Sequence, residues 1–371
     1  MTDLIYYLSC AVNLIAPDSA TVGRTDLDGL FNEAKSHSIC SAVCMALELA
    51  GMRPPIFEEA KNKAVRKTVL FDVEREKLLE RFESRGIWYM PLKGILIKEL
   101  YPKMGMREMA DNDILYDRKR EKEARAVMTE NGYTLKDFDV ENHDVYTKPP
   151  VLNFELHTGL FTKSFNERIY NYYKDPMNLM IKDEGNGFGY HLSDNEFYIY
   201  MTAHEYKHFI CDGTGIRSLL DCYVYLKAKS EDLDFEYIEQ QLEKLGIAGY
   251  ERNRRELSLK IFAPGDPCLS EDEEKLLDQY LHFGTYGSFE HRVDKRIKEQ
   301  YQKSGKRSKW QYMLRRIFPD PETMSMEVSF VKRYPVLYPA GVVVRLMRIL
   351  TVKRGREQVM RELSILKDYE K

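Results

Sequence analysis

Short apolar segments alternate with amphipathic segments between residues 87 and 157, and this rhythm restricts the fold more than any other feature of the chain. Strand-like runs cover 87–92, 112–116, 133–135, 143–147 and 151–157, and helix-like runs cover 95–101 and 118–131. Strands that alternate with helices predict parallel neighbours, whereas two runs joined at Pro149 and Pro150 predict an antiparallel pair. We therefore expect an α+β fold with a mixed sheet.

Helical periodicity dominates on both sides of this region. Residues 61–84 predict one long charged helix with an apolar face formed by Val65, Val69, Val73, Leu78, Leu79 and Phe82. The stretch from 194 to about 229 predicts another helix, after a glycine-rich turn at 185–189. These patterns predict a helical cap over 1–60, a central α/β domain over 61–189 and a mostly helical domain over 190–371.

Asp111 and Asp113 are separated by one residue at the start of the predicted strand 112–116. Alternate residues of a strand project from the same face, so the two carboxylates aim together while Asn112 points away. Two carboxylates so placed favour a cation between them, and oxygen ligands suit Mg²⁺. A polar strand end in solvent would have the same spacing, so the neighbouring residues decide the interpretation.

Three neighbouring features favour a phosphate-transfer site. Lys93 and Gly94 form a turn between a predicted strand and a predicted helix, where free backbone N–H groups favour phosphate oxygens. Glu155, on a later strand, would complete a metal site or accept a proton from an attacking hydroxyl. Arg107 would add positive charge near the phosphate tail.

The run LKGILIKELYPKMGMREMADND at 92–113, the helix ending in Asn131-Gly132-Tyr133 and the later ELH at 155–157 resemble the uncharacterised bacterial nucleotidyltransferases of the polymerase-beta-like superfamily. The resemblance covers about residues 88–160 and extends loosely to the helix around His204 and Asp221. It implies a mixed sheet flanked by helices, with an N-terminal helical cap and a C-terminal helical domain.

The same resemblance implies an enzyme that transfers a nucleoside monophosphate (NMP) from a nucleoside triphosphate (NTP), such as ATP, to a hydroxyl-bearing acceptor. The acceptor is a small molecule, a protein or RNA. Two Mg²⁺ ions would be held by Asp111, Asp113 and Glu155, and Gly94 would lie in the phosphate turn.

One departure from the wider superfamily concerns this turn, where glycine is usually followed by a phosphate-binding serine. Here the residues are Lys93-Gly94-Ile95, and the ammonium of Lys93 would replace the serine as a point charge, or the turn would be only structural. A catalytically inactive, nucleotide-binding relative is therefore a second interpretation.

The segment HEYKH at 204–208 matches the zinc-protease pattern HExxH, in which two histidines one helical turn apart bind Zn²⁺. Lys207 next to His208 and the lack of an obvious third ligand disfavour a zinc metallopeptidase. We instead expect His157, His204 and His208 on the acceptor side. Arg217 and Asp221, four residues apart, predict a salt bridge within one helix.

The charge of the chain restricts its partners. Its formal net charge of −3 arises from 56 basic and 59 acidic residues, so no overall field attracts it to nucleic acid or an anionic membrane. A basic segment at 292–316 allows RNA binding, although a solvated helix face is favoured. No membrane span is expected, and six cysteines without a CxxC pair favour a reduced, cytoplasmic protein without disulfides.

Overall fold

The computed structural model describes residues 2–284, apart from 141, 186 and 212, and towards the C-terminus residues 314, 317–319, 321, 324, 328, 331 and 334–351. The helices are α1 (Asp3–Asn13), α2 (Ser19–Arg24), α3 (Leu27–Ser36), α4 (Cys40–Leu49), α5 (Pro55–Ser84), α6 (Gly94–Ile97), α7 (Glu121–Glu130), α8 (Glu167–Tyr173), α9 (Asp194–Cys211), α10 (Ile216–Lys229), α11 (Phe235–Leu245), α12 (Ala248–Phe262), α13 (Glu271–Phe283) and α14 (Tyr338–Thr351). The strands are β1 (Tyr89–Pro91), β2 (Asn112–Tyr116), β3 (Thr134–Val140), β4 (His143–Lys148), β5 (Leu152–His157), β6 (Met180–Lys182) and β7 (Tyr190–Leu192). The expected α+β class is confirmed.

The chain divides into two compact units, one with residues 1–210 and 214–286 and the other with residues 211–213 and 287–371. The described side chains of the second unit form a small apolar cluster around Met324, Val328, Val331 and Val342. The basic segment 292–316 lies almost wholly outside the described residues. In the described part of the chain, no helix combines the length and apolar character needed to cross a membrane.

A five-stranded mixed sheet in the first unit has the order β1-β2-β5-β4-β3. β2 and β5 are parallel, and the other neighbours are antiparallel. The antiparallel pair expected across Pro149 and Pro150 is confirmed as β4 and β5, whose register places His143 opposite His157. All five residues of β2 are buried, which agrees with its inner position in the sheet.

Helix α5 covers the sheet core with a face that agrees in part with the predicted one. Leu78 and Phe82 are buried with the sheet residues as expected, whereas Val69 and Val73 are 44% and 43% exposed. Phe71 is buried in their place, and the buried stripe also contains polar side chains, which the apolar pattern does not reveal.

Glu74 of α5 is one such buried polar residue. Its carboxylate accepts hydrogen bonds from Lys148 at 2.9 Å and from the hydroxyl of Tyr133 at 3.2 Å. Burial alone would raise the pKa of Glu74, but the hydrogen bonds and charges of Lys148 and Lys77 lower it. A buried carboxylate with such partners is tolerated inside a helix–sheet interface.

The single helix expected over 194–229 is divided into α9 and α10, which end and begin at Cys211 and Ile216. Gly215 precedes α10, and a Cβ there would lie 2.6 Å from the backbone of Gly284 and 2.7 Å from Nδ1 of His37. The close approach of other chain segments therefore requires glycine at this break. The glycine-rich turn at 185–189 lies between β6 and β7, an antiparallel hairpin that the sequence pattern did not predict.

His37 serves as the N-terminal acceptor of α10 from a distant part of the chain. Nδ1 of His37 accepts a hydrogen bond of 3.3 Å from the backbone N–H of Ile216, and Gly215 has no side chain for this task. His37 is only 1% exposed. Burial lowers its pKa to about 4, and the charge of Arg217 acts in the same direction.

We expect the free energy of unfolding to fall by roughly 3 kcal/mol between pH 7 and pH 4 through His37 alone. Below about pH 6.5 the unfolded chain takes up a proton that the folded chain refuses until about pH 4, so acid favours unfolding. Urea denaturation across this range measures the effect in the wild type and in His37→Asn, whose Oδ1 can accept the same bond without titrating. An equal loss of stability in both proteins would contradict this role.

Candidate metal centre

Asp113 and Glu155 lie side by side because β2 and β5 are parallel neighbours in this register. His157 follows Glu155 by two residues, so its side chain is on the same face of the sheet. One ligand atom from each of these three residues lies within 4.8 Å of the other two. Within the described residues, this is the only group of three or more histidine, cysteine or acidic side chains so arranged. We call it the acidic triad.

One hydrogen bond and longer polar contacts connect the side chains of the triad. Nε2 of His157 lies 2.7 Å from Oδ1 of Asp113 and 3.8 Å from Oε2 of Glu155. Nε2 of His143, on the neighbouring strand, lies 3.7 Å from the same oxygen of Glu155. Sequence reasoning missed His143, which the register of β4 and β5 places opposite His157.

Lys93 points into the triad from the turn after β1. Its Nζ donates to Oδ1 of Asp113 at 2.8 Å. The φ angle of Lys93 is 48°, in a backbone region that residues other than glycine rarely adopt. This strain, of about 1–3 kcal/mol, is typical of functional sites and is tolerated when the surroundings determine the conformation. The sequence predicted that the ammonium of Lys93 contacts a phosphate. In the structure this ammonium binds the carboxylate of Asp113.

The three side chains of the triad differ in how readily they ionise. Burial alone would raise the pKa of Asp113, but the charge of Lys93 and the hydrogen bond with His157 hold it well below its usual range. Burial and the charge of Asp113 raise the pKa of Glu155 to about 8. Burial and the charge of Lys93 lower the pKa of His157 to about 4, so its imidazole is neutral at pH 7.

Asp111 lies just before β2 and is outside the group of three. Burial and the charge of Asp113 raise the pKa of Asp111 to about 6, so the two carboxylates repel one another. The charges of Lys93, Arg217 and Arg107 offset this repulsion only in part. Carboxylate oxygens that resist ionisation in this way suit a divalent cation, which would restore their charged forms.

Arg107 packs against Gly94 and binds Asp221, and the sequence predicted neither contact. The guanidinium of Arg107 donates from Nε and a terminal nitrogen to both oxygens of Asp221, at 2.8 and 2.9 Å. The hydroxyl of Tyr101 donates to the same carboxylate at 2.7 Å. A Cβ at Gly94 would lie 2.5 Å from Arg107, so glycine permits the guanidinium to pack there.

Two sequence interpretations change as a result. Asp221 forms its salt bridge with Arg107, 114 residues away in sequence, and not with Arg217 of its own helix. The helix after Lys93 spans only Gly94–Ile97, so its dipole is small. A phosphate role for Lys93, Gly94 and Arg107 remains a prediction, and the guanidinium of Arg107 is engaged elsewhere.

In the HEYKH segment, His204 is close enough to Lys93 and His157 for both to act on it. Nε2 of His204 lies 3.3 Å from Nε2 of His208. Burial and the charge of Lys93 lower the pKa of His204 far below its usual value, and His157 acts in the same direction. Burial raises the pKa of Glu205, and the charge of Arg254 on α12 opposes this. Within the described residues, no third histidine, cysteine or acidic side chain joins His204 and His208 in a possible metal site, which disfavours a zinc protease.

Comparison with known families places this geometry in context. Residues 23–254 match the model of a family described as "Uncharacterised nucleotidyltransferase". The match covers more than half of the chain, so the chain belongs to this family and its recognition from the sequence is confirmed. No curated protein and no solved structure matches the chain.

Proposed function

We propose that this family member binds an NTP with Mg²⁺ and transfers its NMP group to a hydroxyl of an acceptor, releasing pyrophosphate. The observation that carries the proposal is the adjacency of Asp113 and Glu155 on parallel strands, within a chain of a nucleotidyltransferase family. A polymerase-beta-like arrangement of the sheet is part of the same proposal.

The residues of the triad have separate roles in this proposal. Asp113 and Glu155 hold the metal, and Asp111 supplies a further carboxylate from the strand entrance. Two bound Mg²⁺ ions would offset the charge that develops on the phosphates and lower the pKa of the attacking hydroxyl. His157 fixes the orientation of Asp113 through their 2.7 Å contact.

Lys93 prepares the site for its cations. Its ammonium keeps Asp113 ionised before metal arrives, since an opposite charge at 2.8 Å favours the carboxylate. The side chain is 19% exposed, so it can turn towards phosphate oxygens when the metal takes over Asp113.

The same ion pair favours a second candidate function, which is nucleotide binding without transfer. A lysine that stayed on Asp113 would compete with the metal for a ligand oxygen. Such a protein would bind NTP with little dependence on Mg²⁺ and would label no acceptor.

The proposed function predicts Mg²⁺-dependent binding of at least one NTP, with a dissociation constant between about 1 μM and 1 mM. Calorimetric titration with each NTP, with Mg²⁺ or EDTA, measures this. Glu155→Gln should lose the Mg²⁺-dependent part, whereas Glu243→Gln, at an exposed position on α11, should retain it. Incubation with α-labelled NTP and a cell extract then shows whether an acceptor is labelled. Binding that is equal in EDTA would contradict the transferase and support the second candidate.

A further inference from the structure

A cavity of about 560 Å³ adjoins the segment 108–110 that leads into Asp111. Its walls come from this segment, from α3, α5 and α10, and from Ser38 and Cys40 at the start of α4. The volume lies within the range of about 300–1,000 Å³ that small-molecule sites occupy. The cavity therefore has room for a small molecule next to the proposed metal ligands.

Positive charge dominates the lining. Lys35, Lys63, Lys67 and Arg217 line the cavity, against Glu59 and Glu108. Among the described residues, none of the four cations forms an ion pair with a carboxylate. The carboxylate of Glu108 also accepts a hydrogen bond of 3.0 Å from the backbone N–H of Ser41.

Two other cations of α5 form ion pairs, since Lys61 binds Glu48 and Lys77 binds Glu74. Lys63 and Lys67 face the cavity instead. Unpaired cations that converge on a concave surface favour an anionic ligand.

The cationic wall extends to Asp111. Nζ of Lys67 donates to the carbonyl oxygen of Ala110 at 3.2 Å, and Arg217 donates to the carbonyl oxygen of Glu108 at 3.4 Å. The charge of Asp111 acts on Lys67, and the charge of Arg217 acts on Asp111. A ligand held by these cations would thus lie beside the proposed transfer site.

We propose that the cavity binds the acceptor and that the acceptor is a small molecule with a phosphate group. The inference rests on the proposed function. Four cations against two carboxylates leave two positive charges, which match a phosphate monoester with about −1.5 to −2 charges at pH 7. Lys93, Gly94, Glu155 and the triad's His157 do not line the cavity, so the NTP and the acceptor would occupy separate sites.

This assignment changes where the acceptor is expected. His157, His204 and His208, which the sequence placed on the acceptor side, are absent from the cavity lining. The cavity also favours an anionic small molecule over a cationic one, because its cations would repel a positive charge.

The test uses the full chain in EDTA and inorganic phosphate as the probe. Phosphate binding, measured by ³¹P NMR titration, should be about tenfold weaker in Lys35→Gln/Lys63→Gln than in the wild type. Both lysines are exposed, so the variant should fold. Lys119→Gln/Lys122→Gln removes two exposed lysines outside the cavity and should bind phosphate as the wild type does.

Binding of Mg²⁺-NTP separates the cavity proposal from the proposed function. The cavity variant should bind Mg²⁺-NTP as tightly as the wild type. Equal phosphate affinity in the cavity variant and the wild type would overturn the cavity site. Weaker Mg²⁺-NTP binding in the cavity variant would overturn the acceptor role, because the cavity would then hold the triphosphate. Failure of the wild type to bind any Mg²⁺-NTP would overturn the proposed function and the acceptor role together, even where phosphate binding differs between the variants.

Discussion

Asparagine in place of Asp113 is expected to lower the rate of NMP transfer on the order of 10³-fold and to abolish Mg²⁺-dependent NTP binding. Asp113 belongs to the group of three potential metal ligands and contacts both Lys93 and His157. A metal contributes several kcal/mol to the stabilisation of the transition state, and about 4 kcal/mol corresponds to this factor. Labelling with α-labelled NTP measures transfer, and calorimetry measures binding.

Loss of activity in Asp113→Asn could also reflect unfolding, because Lys93 would keep a largely buried ammonium without its carboxylate. Removal of one partner of a buried ion pair costs about 3–5 kcal/mol. Lys93→Met/Asp113→Asn removes both charges, so it should recover most of the free energy of unfolding and remain inactive. A double variant that binds Mg²⁺-NTP and transfers at the wild-type rate would contradict the role of Asp113.

The adjacency of Asp113 and Glu155 could be anticipated in part from the sequence. The DxD spacing placed Asp113 on a strand, and the later ELH placed Glu155 and His157 on another. Their contact depends on the parallel register of β2 and β5, which the alternation of residues within each strand does not determine. The position of His143 depends on a register of the same kind, since it lies opposite His157 only because β4 and β5 pair about Pro150. A turn centred between Pro149 and Pro150 would have placed it opposite Leu156, on the other face of the sheet.

Other partners were beyond the reach of sequence patterns. Asp221 has a cation four residues before it in Arg217, which made a salt bridge within the helix plausible, but Arg107 binds it from 114 residues away. A local spacing rule compares only neighbours on one helix, and a bidentate guanidinium from another segment is stronger. The proximity of Arg107 to Gly94 was likewise not predictable from local spacing, and the phosphate role of Gly94 remains a prediction.

Methionine in place of Arg107 is expected to lower the free energy of unfolding by about 3–5 kcal/mol. The side chains of Arg107 and Asp221 are only 10% and 11% exposed, so the variant leaves a buried carboxylate with Tyr101 as its remaining donor. Arg107→Met/Asp221→Asn removes the buried charge and keeps an acceptor for Tyr101, so it should recover much of the loss. Urea denaturation of the two single variants and the double variant gives the coupling energy.

The same variants separate a structural role of Arg107 from a phosphate role. If Arg107 acts only through Asp221, the folded double variant should bind Mg²⁺-NTP like the wild type; weaker binding at full stability would instead indicate contact with phosphate.

Gly94→Ala supplies an independent check, since its Cβ would meet Arg107 at 2.5 Å. Gly94→Ala should lower the free energy of unfolding strongly in the wild type and much less in the Arg107→Met background, because the guanidinium that the methyl group displaces is gone. An equal loss of unfolding free energy in the two backgrounds would mean that Gly94 is required for another reason, such as the close approach of a phosphate to the backbone.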